Sequence, residues 1–204
     1  MKNYKKDEAE SLYWVQLKTL LLQHTIIHKI LIQLQHFPFA LYLSAGVIRN
    51  LIWAHLHDED YVLENTEIDV IFYDQEDDGT QSSIIESILA ETFPFVCWDV
   101  TNQALVHEWY TKDDGTKISP LHSIEHALSL WPETATAVAI RLNEHAEFEC
   151  IAPLGLSDLF ELKLRWNKAL VSQKVFRQRI QQKQFLQKWP QLVVIESEDS
   201  WVEI

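Results

Sequence analysis

The sequence predicts an α/β (α+β) fold: a mixed, largely antiparallel sheet with flanking helices and an N-terminal helical pair. Three observations carry that prediction. Apolar residues recur at the helical period across residues 7–36. A glycine turn, a short helix and an acidic-ended strand follow one another between Leu43 and Asp74. Two apolar runs, 135–142 and 147–152, flank Asn143-Glu144-His145 as paired strands flank a turn. At 204 residues the chain has the size of one domain. We divide residues 1–190 into a helical pair (1–38), a sheet-containing core (39–166) and a basic C-terminal helix (167–190), followed by an acidic tail (191–204).

Taken in order, Leu12, Val15, Leu17, Leu20, Leu21, Ile27, Ile30, Leu31 and Leu34 form the apolar stripe of the first segment. Thr25 is a candidate cap for a second helix, and Pro38 stops it. His24 and His28 are four apart, but without further ligands they read as surface or lightly buried histidines. The cluster His55, His57, Asp58, Glu59 and Asp60 reads as a solvated helix end and loop. Asp77-Asp78-Gly79-Thr80 and Asp113-Asp114-Gly115-Thr116 are turns. Residues 82–91 form a helix with Ile84, Ile85, Ile88 and Leu89 inward, and 95–101 the next strand. Pro120 opens a helix over 121–130 containing His122-Ser123-Ile124-Glu125-His126. That pattern matches the H-x-x-E-H of inverted zinc peptidases, but no third ligand is identifiable. Residues 159–166 alternate Leu162, Leu164 and Trp166 with Glu161, Lys163 and Arg165, as a strand with one wet face does. Asn167 or Ser172 starts the last helix, which runs to about Lys188 before Pro190.

The chemistry concentrates between Leu43 and Asp74. Gly46 permits a close approach, and the helix that follows, about 47–56, aims free N–H groups at whatever sits on the turn. Arg49 in its first turn can add a charge-assisted bond to a phosphate. Glu67 and Asp69 are two apart on a strand and so share a face. Adjacent carboxylates repel unless a cation or a proton lies between them, and Mg²⁺ favours one or two carboxylates plus phosphate oxygens. Asp99 falls mid-strand between Trp98 and Val100, where a carboxylate is costly unless paired or ligated. Asn102, Gln103 and His107 follow it, either lining the same cleft or serving as buried hydrogen-bonding groups.

Five ordered blocks resemble one bacterial, nucleotidyltransferase-like branch of the superfamily that includes polymerase beta. They are Ala45-Gly46-Val47-Ile48-Arg49-Asn50, Glu67-Ile68-Asp69-Val70-Ile71-Phe72-Tyr73-Asp74, Trp98 to His107, Pro132-Glu133-Thr134-Ala135-Thr136-Ala137-Val138 and Ala152 to Phe160. The resemblance spans roughly residues 40–190 and implies a nucleotidyltransferase-type fold. It implies Glu67, Asp69 and Asp99 as catalytic and metal-holding residues, with Mg²⁺ or Mn²⁺ as cofactor. Ser44, Gly46, Arg49 and Asn50 fall at the nucleotide-binding positions. The implied reaction moves a nucleoside monophosphate from a nucleoside triphosphate to an acceptor hydroxyl that the sequence does not name. Two departures stand out: Val47 where Ser or Gly is usual, and Glu67 where Asp is usual. They leave open a second reading, an inactive nucleotide-binding or protein-interaction module on the same fold.

Composition narrows the setting. A net charge of −13 argues against a protein that coats nucleic acid. Residues 161–190 nonetheless carry eight Lys or Arg against one Glu, either a face for a phosphate-bearing substrate or a solvated helix surface. Cys97 and Cys150 sit in apolar runs and read as buried thiols of a reducing compartment. With neither a signal-peptide core nor a membrane-length apolar run, the expected location is the cytoplasm.

Overall fold

The computed structural model describes residues 2–63 and 66–196, with side chains described from Glu8 onward. The N-terminal segment is a pair of helices, α1 (Lys2–Gln23) and α2 (Thr25–Gln35). His24, not Thr25, caps the second: its Nδ1 accepts the Ile27 N–H at 3.3 Å, and its Nε2 bonds the Tyr61 carbonyl at 3.0 Å. Leu17, Leu21, Ile27, Ile30, Leu31 and Leu34 are buried as expected. Leu12 and Val15 are not, at 65% and 60% exposure, because Tyr13 and Trp14 take the inward face of that turn. The Glu10 carboxylate moors α1, accepting the Leu156 N–H at 2.8 Å and the Ser157 N–H at 3.1 Å. Tyr13 stacks on Phe160 at 4.9 Å beside it.

The central sheet comprises β1 (Tyr42–Ser44), β2 (Glu67–Phe72), β3 (Cys97–Asn102), β4 (Ala139–Leu142) and β5 (Phe148–Ile151). Its order is β3-β2-β1-β4-β5, and all neighbours are antiparallel except β2 and β3. A parallel pair needs a crossover, which α4 (Gln81–Thr92) supplies. Between β1 and β2 lies α3 (Gly46–Leu56). Strand alternation gives the sheet two unlike faces. Leu43, Ile68, Val70, Phe72 and Ile140 enter the main core with the helical pair and α3. Ile71 and Ala139 point the other way, into a smaller cluster with Ile124 and Leu128. Glu67 and Asp69 share Ile71's face by the same two-residue period.

The remaining elements are short: α5 (Val106–Trp109), α6 (Ile124–Ser129), α7 (Ser157–Phe160), β6 (Lys163–Arg165), α8 (Gln173–Gln182), α9 (Phe185–Lys188) and β7 (Val193–Ile195). Several expectations need correction here. On α4 only Ile85 and Leu89 are buried, while Ile84 and Ile88 face solvent, because a helix on one sheet edge has a single inward stripe. The zinc-like helix starts at Ile124 with Ser123 as its cap, leaving His122 outside it. Residues 157–160 are helical, so the expected 159–166 strand shrinks to β6, which pairs in parallel with β7. The last helix breaks at Gln184 (φ 52°), which redirects α9. Cys97 is exposed; Cys150 is half-buried, and burial pushes its thiol up to about 12. The tail reading falls largely on residues 197–204, outside the described residues. Among the described residues no helix is long and apolar enough to cross a membrane.

Ser172 caps α8, its side chain accepting the Val175 N–H at 3.3 Å. Ser172→Ala is expected to lower stability by about 1 kcal/mol, whereas Ser172→Asp leaves it within about 0.5 kcal/mol of wild type, read by urea unfolding.

Candidate active site

The site forms where β1, β2 and β3 end against the start of α3. Register places Asp69 opposite Ser44 on one neighbouring strand and opposite Asp99 on the other. Ser44 is fully buried, and its hydroxyl donates to the Asp69 carbonyl at 3.2 Å. The hydroxyl therefore tightens the β1–β2 junction beneath the carboxylates. Asp99 is exposed rather than buried, so it does not carry the desolvation cost expected of it; Thr101 Oγ1 donates to it at 3.0 Å. Glu67 lies at the outer end of β2, exposed, with Lys183 Nζ 3.8 Å away.

The turn into α3 differs from the expected one in a telling way. The unusual backbone belongs to Ala45 (φ 55°, ψ −120°), while Gly46 already sits in the helix. What Gly46 contributes is proximity. A Cβ there would stand 3.6 Å from Arg49 Nη2 and 3.7 Å from Asp69 Oδ2, and the Gly46 N–H favours the charged form of the Asp69 carboxylate. The positive end of α3 is thus aimed at the carboxylates.

Arg49 is buried against this turn. Its guanidinium lies 5.2 Å from the Trp53 ring and 4.6 Å from the Phe185 ring, and donates to Thr136 Oγ1 at 3.2 Å and Asn50 Oδ1 at 3.1 Å. Burial lowers its pKa, an effect Glu133 partly offsets. Glu133, fully buried, is held by Arg179 through two bonds of 2.7 and 3.2 Å.

These groups line two adjoining lobes of one cleft. A polar lobe of 430 Å³ is bordered by Gly46, Arg49, Asn50, Glu67, Lys183 and Lys188 among others. An apolar lobe of 520 Å³ is walled chiefly by aliphatic and aromatic side chains. Ala45, Asp69, Asp99, Thr136 and Arg179 border both. Of the predicted residues, Gly46, Arg49, Asn50, Glu67, Asp69 and Asp99 meet at the cleft, while Ser44 lies behind it. Glu133, Thr136, Arg179, Lys183 and Lys188 were not singled out as site residues. Their only signals were the basic run after residue 160 and the Pro132–Val138 block. Asn102 is a structural residue, bonding the Asp74 N–H and carbonyl and Asp77 at 3.1, 2.7 and 2.9 Å. Gln103 lines the apolar lobe; His107 bonds the Ala104 carbonyl. His122 and His126 stack at 5.2 Å and border neither lobe.

The carboxylates define what the site can hold. Burial, and then the neighbouring Asp99 and Glu67, push Asp69 up to about 6, against the pull of the Gly46 N–H and Arg49. Among the described residues, no group of three or more His, Cys, Asp or Glu is gathered closely enough to cage an ion. Mg²⁺ does not require such a cage, since it takes one or two carboxylates and completes its shell with water and phosphate. A donor set of carboxylates alone, with no thiol or imidazole at the polar lobe, fits a hard cation of that kind.

The fold is of the nucleotidyltransferase type, and the chain belongs to a nucleotidyltransferase family, whose model matches residues 36–194. Among solved structures, one described as revealing a CCA-adding enzyme head domain is similar over 84% of this chain and 90% of its own. It has 28% identity and a TM-score of 0.71. A CCA-adding enzyme in complex with CTP shares the fold at 15% identity and a TM-score of 0.54, over 88% of this chain and 43% of that one. The comparison with curated proteins found no match.

Two outcomes follow from the charges. Asp69 is raised in the folded state, so the metal-free native protein holds its proton more tightly than the unfolded chain does. Between pH 4 and 6 the wild type is therefore expected to lose stability as pH rises. Asp69→Asn abolishes that loss and is the more stable protein at pH 7, by about 1–3 kcal/mol in thermal or urea unfolding with chelator present. Arg179→Met strands the buried Glu133 carboxylate and is expected to cost about 3–5 kcal/mol, more than Glu133→Gln costs, by urea unfolding.

Proposed function

We propose that this protein transfers a nucleoside monophosphate from a nucleoside triphosphate to an acceptor hydroxyl, with Mg²⁺ or Mn²⁺ as cofactor. The observation that carries the reading is the in-register pair Asp69 and Asp99 beside the N-terminus of α3, with Arg49, Lys183 and Lys188 bordering the same lobe. Carboxylates and cations thereby border one small space, as a metal-bound triphosphate requires. The fold shared with a CCA-adding enzyme in complex with CTP supports a nucleotide in this cleft.

In this reading the phosphates lie along Gly46, Asn50, Arg49, Lys183 and Lys188, and Ser44 fixes the strand that presents Asp69. Glu67, Asp69 and Asp99 would hold the divalent ion, which supplies neutralisation of charge on the phosphoryl oxygens. The acceptor oxygen attacks the α-phosphorus, forming an O–P bond. The bond from the α-phosphorus to the α,β-bridging oxygen breaks, and pyrophosphate leaves with the electron pair. Asp99, the solvent-facing carboxylate, takes the hydroxyl proton and passes it to water. Lysines on the opposite wall balance the leaving pyrophosphate.

One observation favours a binding module without turnover. Val47, at the position where the family pattern has a phosphate-gripping Ser or Gly, is fully buried in the core. The test separates the two readings. Thermal unfolding with each nucleoside triphosphate and Mg²⁺ is expected to raise Tm by about 5–10 °C at a hundredfold excess over Kd. The shift disappears in Asp69→Asn when each variant is compared with its own ligand-free form, and the wild type releases pyrophosphate. A shift insensitive to metal and to Asp69→Asn, with no pyrophosphate released, identifies a binding module. No shift with any nucleotide overturns both readings.

A further inference from the structure

The apolar lobe plays no part in gripping phosphate, yet it opens on the same two carboxylates. Asp69, Asp99 and Arg179 stand where the lobes meet. Beyond them the lobe is walled by Val106, Trp109, Leu121, Leu130, Trp131 and Val171. Its volume, 520 Å³, lies within the ~300–1,000 Å³ of small-molecule sites, and its few polar groups suit orientation rather than solvation. Thr101 is already committed to Asp99 and Thr136 to Arg49, leaving Gln103 and Tyr110 as uncharged polar side chains along the wall.

The charge pattern selects among acceptors. Arg179 is the single cation among the lining residues, and Glu133 already engages it; the other charged linings are Asp69 and Asp99. A nucleic-acid 3′ end would bring phosphates into a lobe whose walls hold no lysine to receive them, on a chain of net charge −13. A neutral, ring-bearing molecule meets no such repulsion, and the Trp109 and Trp131 faces offer it stacking surface. Trp109 is 63% exposed, an unusual state for a large ring and one expected at the rim of an apolar site.

We propose that this lobe is the acceptor site, and that the acceptor is a small molecule carrying its hydroxyl on a planar apolar body. This rests on the reading that the polar lobe holds the nucleoside triphosphate. The body would pack between Trp109, Trp131 and Val171 with its hydroxyl directed to Asp99. The step is the one written above, with the phosphodiester formed on the small molecule.

The experiment uses the full chain with Mg²⁺ and the triphosphate found by thermal shift. 2-(1-Naphthyl)ethanol serves as the probe, and calorimetry and product mass as readouts. The expected Kd is no weaker than about 1 mM. Val106→Trp, which fills the lobe from a half-buried position, weakens binding about tenfold, and Trp109→Ala also weakens it; both keep the nucleotide-dependent Tm shift of wild type. With labelled triphosphate the probe gains one nucleoside monophosphate. Intact nucleotide shifts with no probe binding, or with binding that neither variant changes, overturn the proposal. So does label entering a short RNA with a free 3′ hydroxyl in place of the probe. Absence of any nucleotide shift overturns the underlying reading and the acceptor role with it. Calorimetry with the probe then decides separately whether the lobe is a small-molecule site.

Discussion

Asp69 stands between Ser44 on one neighbouring strand and Asp99 on the other, and the rest of the cleft is arranged around the resulting excess of negative charge. Two carboxylates side by side on a parallel strand pair are an unfavourable arrangement by themselves. The protein offsets part of it with fixed dipoles and cations. The Gly46 N–H at the start of α3 and the Arg49 guanidinium both favour the charged form of Asp69. The offset is partial: burial first, and then Asp99 and Glu67, push Asp69 up to about 6.

The cations themselves need anchoring. Arg49 is clamped between Trp53 of α3 and Phe185 of α9, so the aromatic core and the site are one structure. Arg179 is aligned by the buried Glu133, which comes from the loop before β4. The left-handed residue Gln184 ends α8 and swings α9 back so that Phe185 and Trp189 reach Trp53. Without that break, Lys183 and Lys188 would continue along one rod instead of both bordering the polar lobe. Stability and function are therefore coupled at the C-terminal helices, which hold the cationic wall against the carboxylate-bearing sheet.

Much of this was legible from local pattern. The helical pair, the glycine-led helix, the acidic strand and the later strand with Asp99 all follow from period and turn chemistry. The failures share a physical cause. Ile84 and Ile88 fit the apolar stripe of their helix, but only one side of it meets the sheet. Asp99 and Cys97 were assigned burial from apolar neighbours, yet an edge strand leaves one face in water. The turn into α3 has its glycine at position 46, but the positive φ falls on Ala45, where a hydrogen bond from its N–H to the Val138 carbonyl holds the chain.

The sequence by itself determined the fold class and the family resemblance, and it put Glu67 and Asp69 on one strand face, because these depend on residue type and short-range spacing; Asp99 entered through the resemblance. Tertiary structure alone decided that Asp69 and Asp99 are partners, since parallel register is set by a crossover and not by either strand. It also turned an apparently solvated basic helix into one wall of a cleft, bringing Arg179 to a glutamate 46 residues away in the chain. Long-range pairing of that kind is settled by which buried charge needs a partner, and no local pattern records it.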